Sequence, residues 1–406
     1  MATVFMTWEL GGGLGHVTVL RPVALALCSA GHRVIFASRD LVAAERAFAD
    51  TDVACIQAPV RPRGATPAVT PVRTYADLLQ NIGFSSAEDL RPTYHAWKNL
   101  FDLVNPDLTL FDHSPTALLA SRMSRTRRVL IGNGFFCPPV GDVLPSMGLQ
   151  RGAPSPTHAQ EEDRVTAIVN RVVAPCGDGI AKLSDIYNEV DETLLCTFEE
   201  LDHFGARNAR YWGAWPTYPG DRPQWPEGHG RRVFAYLKPF PGLPALLHEL
   251  RRLALPTIVF GYWVNETVRA RFGSKTLTLT NRPVDLVRAG VDSDISILNA
   301  THGTTAALLL GGSPILQIPF YQEQQLVAER VQTMGAGLIA DRTNGRHVVT
   351  QFHRLLDCNR APRVASQFAD RYREVEPMQQ LEAMVGRIES LLPRARASVT
   401  ASPLAV

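Results

Sequence analysis

The stretch from Asp294 to Ala340, DISILNATHGTTAALLLGGSPILQIPFYQEQQLVAERVQTMGAGLIA, constrains the fold more than any other part of the chain. Ile295, Ile297 and Leu298 form a short apolar run of strand character, and a small-residue turn follows from Asn299 to Thr304. The pattern predicts a helix over about Thr305–Leu310, stopped by Gly311-Gly312. Pro314 then opens a second strand (Ile315-Leu316-Gln317-Ile318), which Pro319 ends. A longer helix is expected over about Glu323–Met334, with Gly335 at its end. Strand, small-residue turn and helix together offer unpaired backbone N–H groups and a positive helix end to a phosphate. Gly303 and its neighbours Ala300, Thr301 and Thr304 leave that backbone approachable.

A second glycine-rich turn stands near the N-terminus. Val4–Trp8 reads as a first strand running into GGGLGH, Gly11 to His16, then a helix over about Val17–Ser29 and a strand from Arg33 to Ala37. This is the βαβ opening of a parallel sheet. A dinucleotide fingerprint needs glycine where His16 stands, and a phosphate-binding Walker loop needs Gly-Lys-Ser/Thr, so both nucleotide motifs fail on the letters. His16 falls at the carboxyl end of strand one, where α/β sheets bind ligands. Further on, Pro106–Asp112 reads as a buried strand ending in an acid. Asp112 has a second reading as a cap for a helix starting near Pro115.

The late stretch resembles the donor-binding signature of family 1 glycosyltransferases, the UDP-glycosyltransferase and MurG-like enzymes of the two-domain GT-B fold. His302-Gly303-Thr304, Leu309, Gly312-Ser313-Pro314, Pro319, Glu323-Gln324, Ala328, Arg330-Val331, Gly335 and Gly337 match it at fixed spacings. The first His of the signature falls on Asn299, its two following glycines on Ala300 and Thr301, and a Glu on Ala307. The GLGH entry at the N-terminus is similar to the same family's.

The resemblance implies two Rossmann-like α/β domains facing across a cleft: 1–214 for the acceptor, a Pro-rich linker 215–228, and 229–380 for the nucleotide sugar. It implies an inverting, metal-independent transfer of a sugar from a UDP or dTDP sugar to a hydroxyl of a small-molecule or lipid-like acceptor. His16 would be the base and Asp112 its partner, with adjacent His113 as an alternative. Such a base contributes roughly 10²–10⁴-fold, more when a carboxylate fixes its tautomer. Asn299, Thr301, His302, Gly303 and Thr304 would hold the diphosphate, Glu323 and Gln324 the sugar, and the loop at Pro283 the base. Gly13, Phe135, Phe136 and Met147 would line the acceptor side. The two phenylalanines can equally be core, Glu323 an acid favoured by a helix start, and Lys238 either a phosphate ligand or a solvated surface group.

The rest of the chain bounds these expectations. Its 406 residues suit two domains, and 45% hydrophobic with 20% charged residues suits a globular protein. A net charge of +2 argues against a nucleic-acid binder. Six scattered cysteines without a CxxC point to a reduced, cytoplasmic protein, and no apolar run reaches the ~18 residues of a membrane span. Asp292-Ser293-Asp294 matches DxD, as does Asp50-Thr51-Asp52, and we assign neither a metal. No cofactor is expected beyond the nucleotide sugar itself. The Pro/Ser/Ala-rich tail 393–406 reads as disordered. Two rival readings are a nucleotide-sugar epimerase, which would need further cleft carboxylates, and a nucleotide-sugar binder without activity.

Overall fold

The computed structural model describes residues 1–13, 15–61, 68–147, 156–214 and 220–392. Parts of the Pro-rich loop 59–71, of the loop before Pro156 and of the linker lie outside these residues, as does the whole tail 393–406.

Among the described residues, twelve short strands form two six-stranded sheets. The first holds β1 (Thr3–Trp8), β2 (Arg33–Ser38), β3 (Ala54–Gln57), β4 (Leu108–Asp112), β5 (Arg127–Gly132) and β6 (Glu192–Leu195). The second holds β7 (Val233–Tyr236), β8 (Thr257–Phe260), β9 (Leu277–Thr280), β10 (Ile295–Leu298), β11 (Ile315–Gln317) and β12 (Gly337–Ile339). Every pairing is parallel. The spatial orders are β3-β2-β1-β4-β5-β6 and β12-β11-β10-β7-β8-β9. Counted from each unit's own first strand, both are 3-2-1-4-5-6, the doubly wound order.

Parallel strands covered by helices on both faces are apolar on both sides. Val4, Met6 and Trp8 bury into one cluster and Phe5 into the cluster on the opposite face. Sidedness is set by register: Trp8 is level with Asp112, and Tyr236 with Leu298. In each sheet the two strands flanking the order reversal therefore end together, which leaves a crevice at their carboxyl ends.

The units interlock. Leu326 of the second belongs to an apolar cluster of the first, while Phe198 and Leu201 of the first belong to one of the second. The C-terminal helix Pro377–Leu391 returns to the first unit, burying Leu381, Met384, Val385 and Ile388 against Val17, Leu20 and Leu27. Of the linker, Asp221 pairs with the loop before the helix Leu286–Asp292: its N–H donates to Pro283 O (2.9 Å) and its carbonyl accepts from Asp285 N (2.9 Å).

Tyr211 makes an isolated parallel bridge to Leu195 beyond the edge of the first sheet. The segment after Ile180 is helical only over Asp185–Asn188, and at Ile180 itself the Asn170 amide bonds the backbone, its Nδ2 donating to the carbonyl (2.9 Å) and its Oδ1 accepting from the N–H (2.9 Å). Among the described residues no helix is long and apolar enough to cross a membrane.

Candidate active site

The first glycine loop is tied down where it leaves β1. Leu10 N–H donates to the carbonyl of His113 (3.1 Å), and the Glu9 carboxylate accepts from Thr116 N (2.9 Å) and Ala117 N (3.3 Å) at the start of the helix Pro115–Ala120. Glu9 is buried, and that burial pushes its carboxyl up to about 7 against the lowering effect of these donors. Gly11 and Gly13 adopt φ of +84° and +86°, which a side chain would strain. A Cβ at Gly11 would stand 2.5 Å from His16 Nε2, whereas Gly12 and Gly13 face open space.

His16 opens the first helix, Gly15–Ser29, and is 7% exposed. Its Nδ1 lies 2.8 Å from Asp112 Oδ2, and Asp112 is 2% exposed at the end of β4. The imidazole is sandwiched: Trp8 stacks on it at 4.9 Å and Phe136 packs against it at 4.9 Å. A carboxylate on Nδ1 fixes the ring's orientation and leaves Nε2 as the nitrogen for an incoming group. The sequence left open whether Asp112 or His113 partners His16, and the hydrogen bond goes to Asp112. His113 stacks at 5.9 Å instead, in a left-handed backbone conformation (φ 45°), and burial with the neighbouring His16 pushes its imidazole well down, so it stays neutral. Asp112 does not cap the following helix; Glu9 meets those N–H groups.

Across the crevice, the helix expected from Thr305 starts three residues earlier and spans His302–Leu310. Thr301, with an extended backbone (φ −68°, ψ 133°), is its N-cap, but its hydroxyl donates to Thr304 Oγ1 (3.0 Å) and not to the helix end. The N–H groups of the first turn thus have no capping side chain. Gly303 is exposed, and a Cβ there would meet nothing within 4 Å. His302 turns away into the seam between the units. Its Nε2 is 2.6 Å from Thr197 Oγ1, it stacks on His203 at 5.5 Å, and burial lowers its pKa to about 4.

Asn299 braces strand ends: Oδ1 accepts from Lys238 N (2.6 Å) and Nδ2 donates to Ile318 O (3.2 Å). It shapes the turn and keeps its amide on backbone. The Lys238 side chain is exposed. Gln324 is buried with Oε1 accepting from Phe320 N (2.7 Å), so it closes the loop before the helix Gln322–Met334. Glu323 beside it points into the cleft, with Oε1 3.3 Å from Asn133 Nδ2 and 4.0 Å from His203 Nε2. Burial raises its pKa, and the charge of Asp112 adds to that while His16 and Asn133 oppose it.

Among the residues expected to line the acceptor side, Phe136 is half-buried against both His16 and His113 (4.3 Å). Phe135 and Met147 are core side chains. Met147 reaches the cleft only through its carbonyl, which accepts from Gln322 Nε2. Pro283 stands at the end of β9, three strands from β10, or about 14 Å at ordinary strand spacing. The matched aspartates serve local structure: Asp292 pairs with Arg288 (3.4 Å), and Asp294 accepts from Arg232 N (2.8 Å). Asn133, Thr197 and His203 carry no motif, and sequence reasoning passed over them. An Asn two residues before Phe135 was the one available signal, since Asn favours such local turns.

No family model matches the chain, and no curated protein matches it in sequence. Solved structures do match. CalG4, the calicheamicin glycosyltransferase, aligns over 98% of this chain and 99% of its own with a TM-score of 0.70 at 14% identity. The chain has the GT-B fold. The glycotransferase of kitacinnamycin aligns over 97% and 99% with a TM-score of 0.67 at 17% identity. The glycosyltransferase VinC, solved in complex with dTDP, aligns over 95% and 100% with a TM-score of 0.61 at 16% identity. In this GT-B chain, His16 and Asp112 mark the crevice of the first sheet, and Gly303 and Glu323 that of the second.

Proposed function

We propose that the protein is an inverting, metal-independent glycosyltransferase that moves a sugar from a UDP or dTDP sugar to a hydroxyl of a small-molecule acceptor in the cytoplasm. The observation that carries this reading is the buried His16–Asp112 pair, 2.8 Å apart, in one crevice, opposite an uncapped, open helix start in the other. Residues 1–214 would take the acceptor and 229–380 the donor.

In this reading His16 Nε2 accepts the proton of the acceptor hydroxyl as its oxygen attacks the anomeric carbon. The bond from that carbon to the diphosphate oxygen breaks, and the electron pair leaves on the diphosphate. Attack from the face opposite the leaving group inverts the centre. Main-chain N–H groups of His302, Gly303 and Thr304 and the positive helix end take up the developing charge, the helix end contributing up to roughly 2 kcal/mol. The strand order suits a donor with its sugar by Glu323 after β11, its diphosphate after β10 and its base toward Pro283 after β9. Six free cysteines suit a reducing compartment.

His16→Ala should abolish transfer, by at least roughly 10²-fold, while nucleotide binding measured by calorimetry with UDP and dTDP persists. Unchanged turnover discards the base assignment. A second reading, a nucleotide-sugar binder without transfer, draws on Asn299, whose amide is held on backbone at both ends. Binding by the wild type without transfer to any acceptor in a donor and acceptor screen would favour it.

A further inference from the structure

We propose that Asn133 is the residue that orients Glu323 for the donor sugar, reaching across the cleft from the acceptor-side unit. The inference rests on the reading of Glu323 as a sugar ligand and adds the group that holds it. Asn133 follows β5 directly and is 8% exposed. Its Oδ1 accepts two backbone bonds, from Phe135 N (3.0 Å) and Phe136 N (3.3 Å). Only an oxygen can accept from two N–H groups, so the amide cannot be turned over and Nδ2 has one direction left. That direction is Glu323 Oε1, 3.3 Å away on the other unit.

Glu323 needs such a guide. It is second in the helix Gln322–Met334, it is only partly buried, and its neighbour Gln324 is turned back onto Phe320 N. Unguided, a glutamate side chain there samples several rotamers, and a sugar would have to select one. The turn that aims Nδ2 also places Phe136, whose ring packs against His16. One local motif therefore sets a wall of the base's pocket and the orientation of the carboxylate opposite.

The test is a donor–acceptor exchange. Asn133→Asp keeps the Oδ1 bonds to Phe135 and Phe136, so the turn survives, but sets a carboxylate against Glu323. Affinity for UDP-glucose or dTDP-glucose, whichever the wild type binds, should fall roughly tenfold or more, the scale of a lost hydrogen bond to a charged group. The KM for the donor should rise more than kcat falls, while affinity for UDP or dTDP alone stays within twofold. Asn133→Asp with Glu323→Gln restores an amide–carboxylate pair with its polarity reversed, and should recover at least half of the lost affinity in logarithmic terms. An Asn133→Asp variant that binds the nucleotide sugar like the wild type overturns the proposal, and so does a double variant no better than the worse single one. If the wild type binds neither these nucleotide sugars nor UDP and dTDP themselves, the nucleotide-sugar reading fails first, and this inference with it.

Discussion

At the scale of single residues, Ala300 shows how a residue other than glycine can hold a left-handed position in the turn. The resemblance puts a glycine there, and the backbone is left-handed (φ 56°). That conformation costs an L residue about 1–2 kcal/mol. The methyl is fully buried, a contribution of about 0.8 kcal/mol, and alanine is less free than glycine when unfolded by about 0.4–1 kcal/mol. The terms nearly offset one another, which explains why alanine can stand in the turn. Ala300→Gly should stay within about 1 kcal/mol of the wild type in chemical denaturation, whereas Ala300→Val, β-branched and without space, should lose about 3 kcal/mol. The same scale shows what letters conceal. His16 and Asp112 were legible because a glycine loop and a strand-ending acid have fixed places in a parallel sheet. Asn299 was legible as a position and not as a role, since its amide went to backbone. Asn133 and His203 were silent: their meaning comes from a second unit more than a hundred residues away.

At the scale of elements, the glycine loop is held by the Glu9 carboxylate on the helix Pro115–Ala120. Burial raises the Glu9 pKa from 4.5 to about 7, so the folded state binds this proton more tightly than the unfolded chain. The stabilisation is fully present below pH 4.5 and is lost as pH rises through 7. Measured against Glu9→Gln, which keeps an accepting oxygen and does not titrate, the wild type should lose up to about 3 kcal/mol between these limits. Denaturant midpoints at pH 5 and pH 8 for both proteins check the sign. Strands and most helices were readable from apolar runs and breakers. The start of the helix at His302 was not: Gly303 and two threonines read as a turn, and tertiary packing of Ala306, Leu308 and Leu309 extends the helix through them.

At the scale of the molecule, the final helix belongs by sequence to the second half and by packing to the first. Ile388→Ala should cost about 2–5 kcal/mol. The loss should register as faster amide exchange across the first helix, Gly15–Ser29, with β10 and β11 protected as before. Exchange quickened in β10 and β11 alone would contradict the packing. An apolar stripe such as that of Pro377–Leu391 cannot say where it docks, because it fits either unit.

That return gives the molecule a second covalent connection between its units, near Tyr372–Pro377, besides the linker. A body hung from a single cord can twist in any direction. One suspended at two points loses the free twist about either cord, so the connections themselves restrict how the strand ends carrying Asp112 and Gly303 can turn relative to each other.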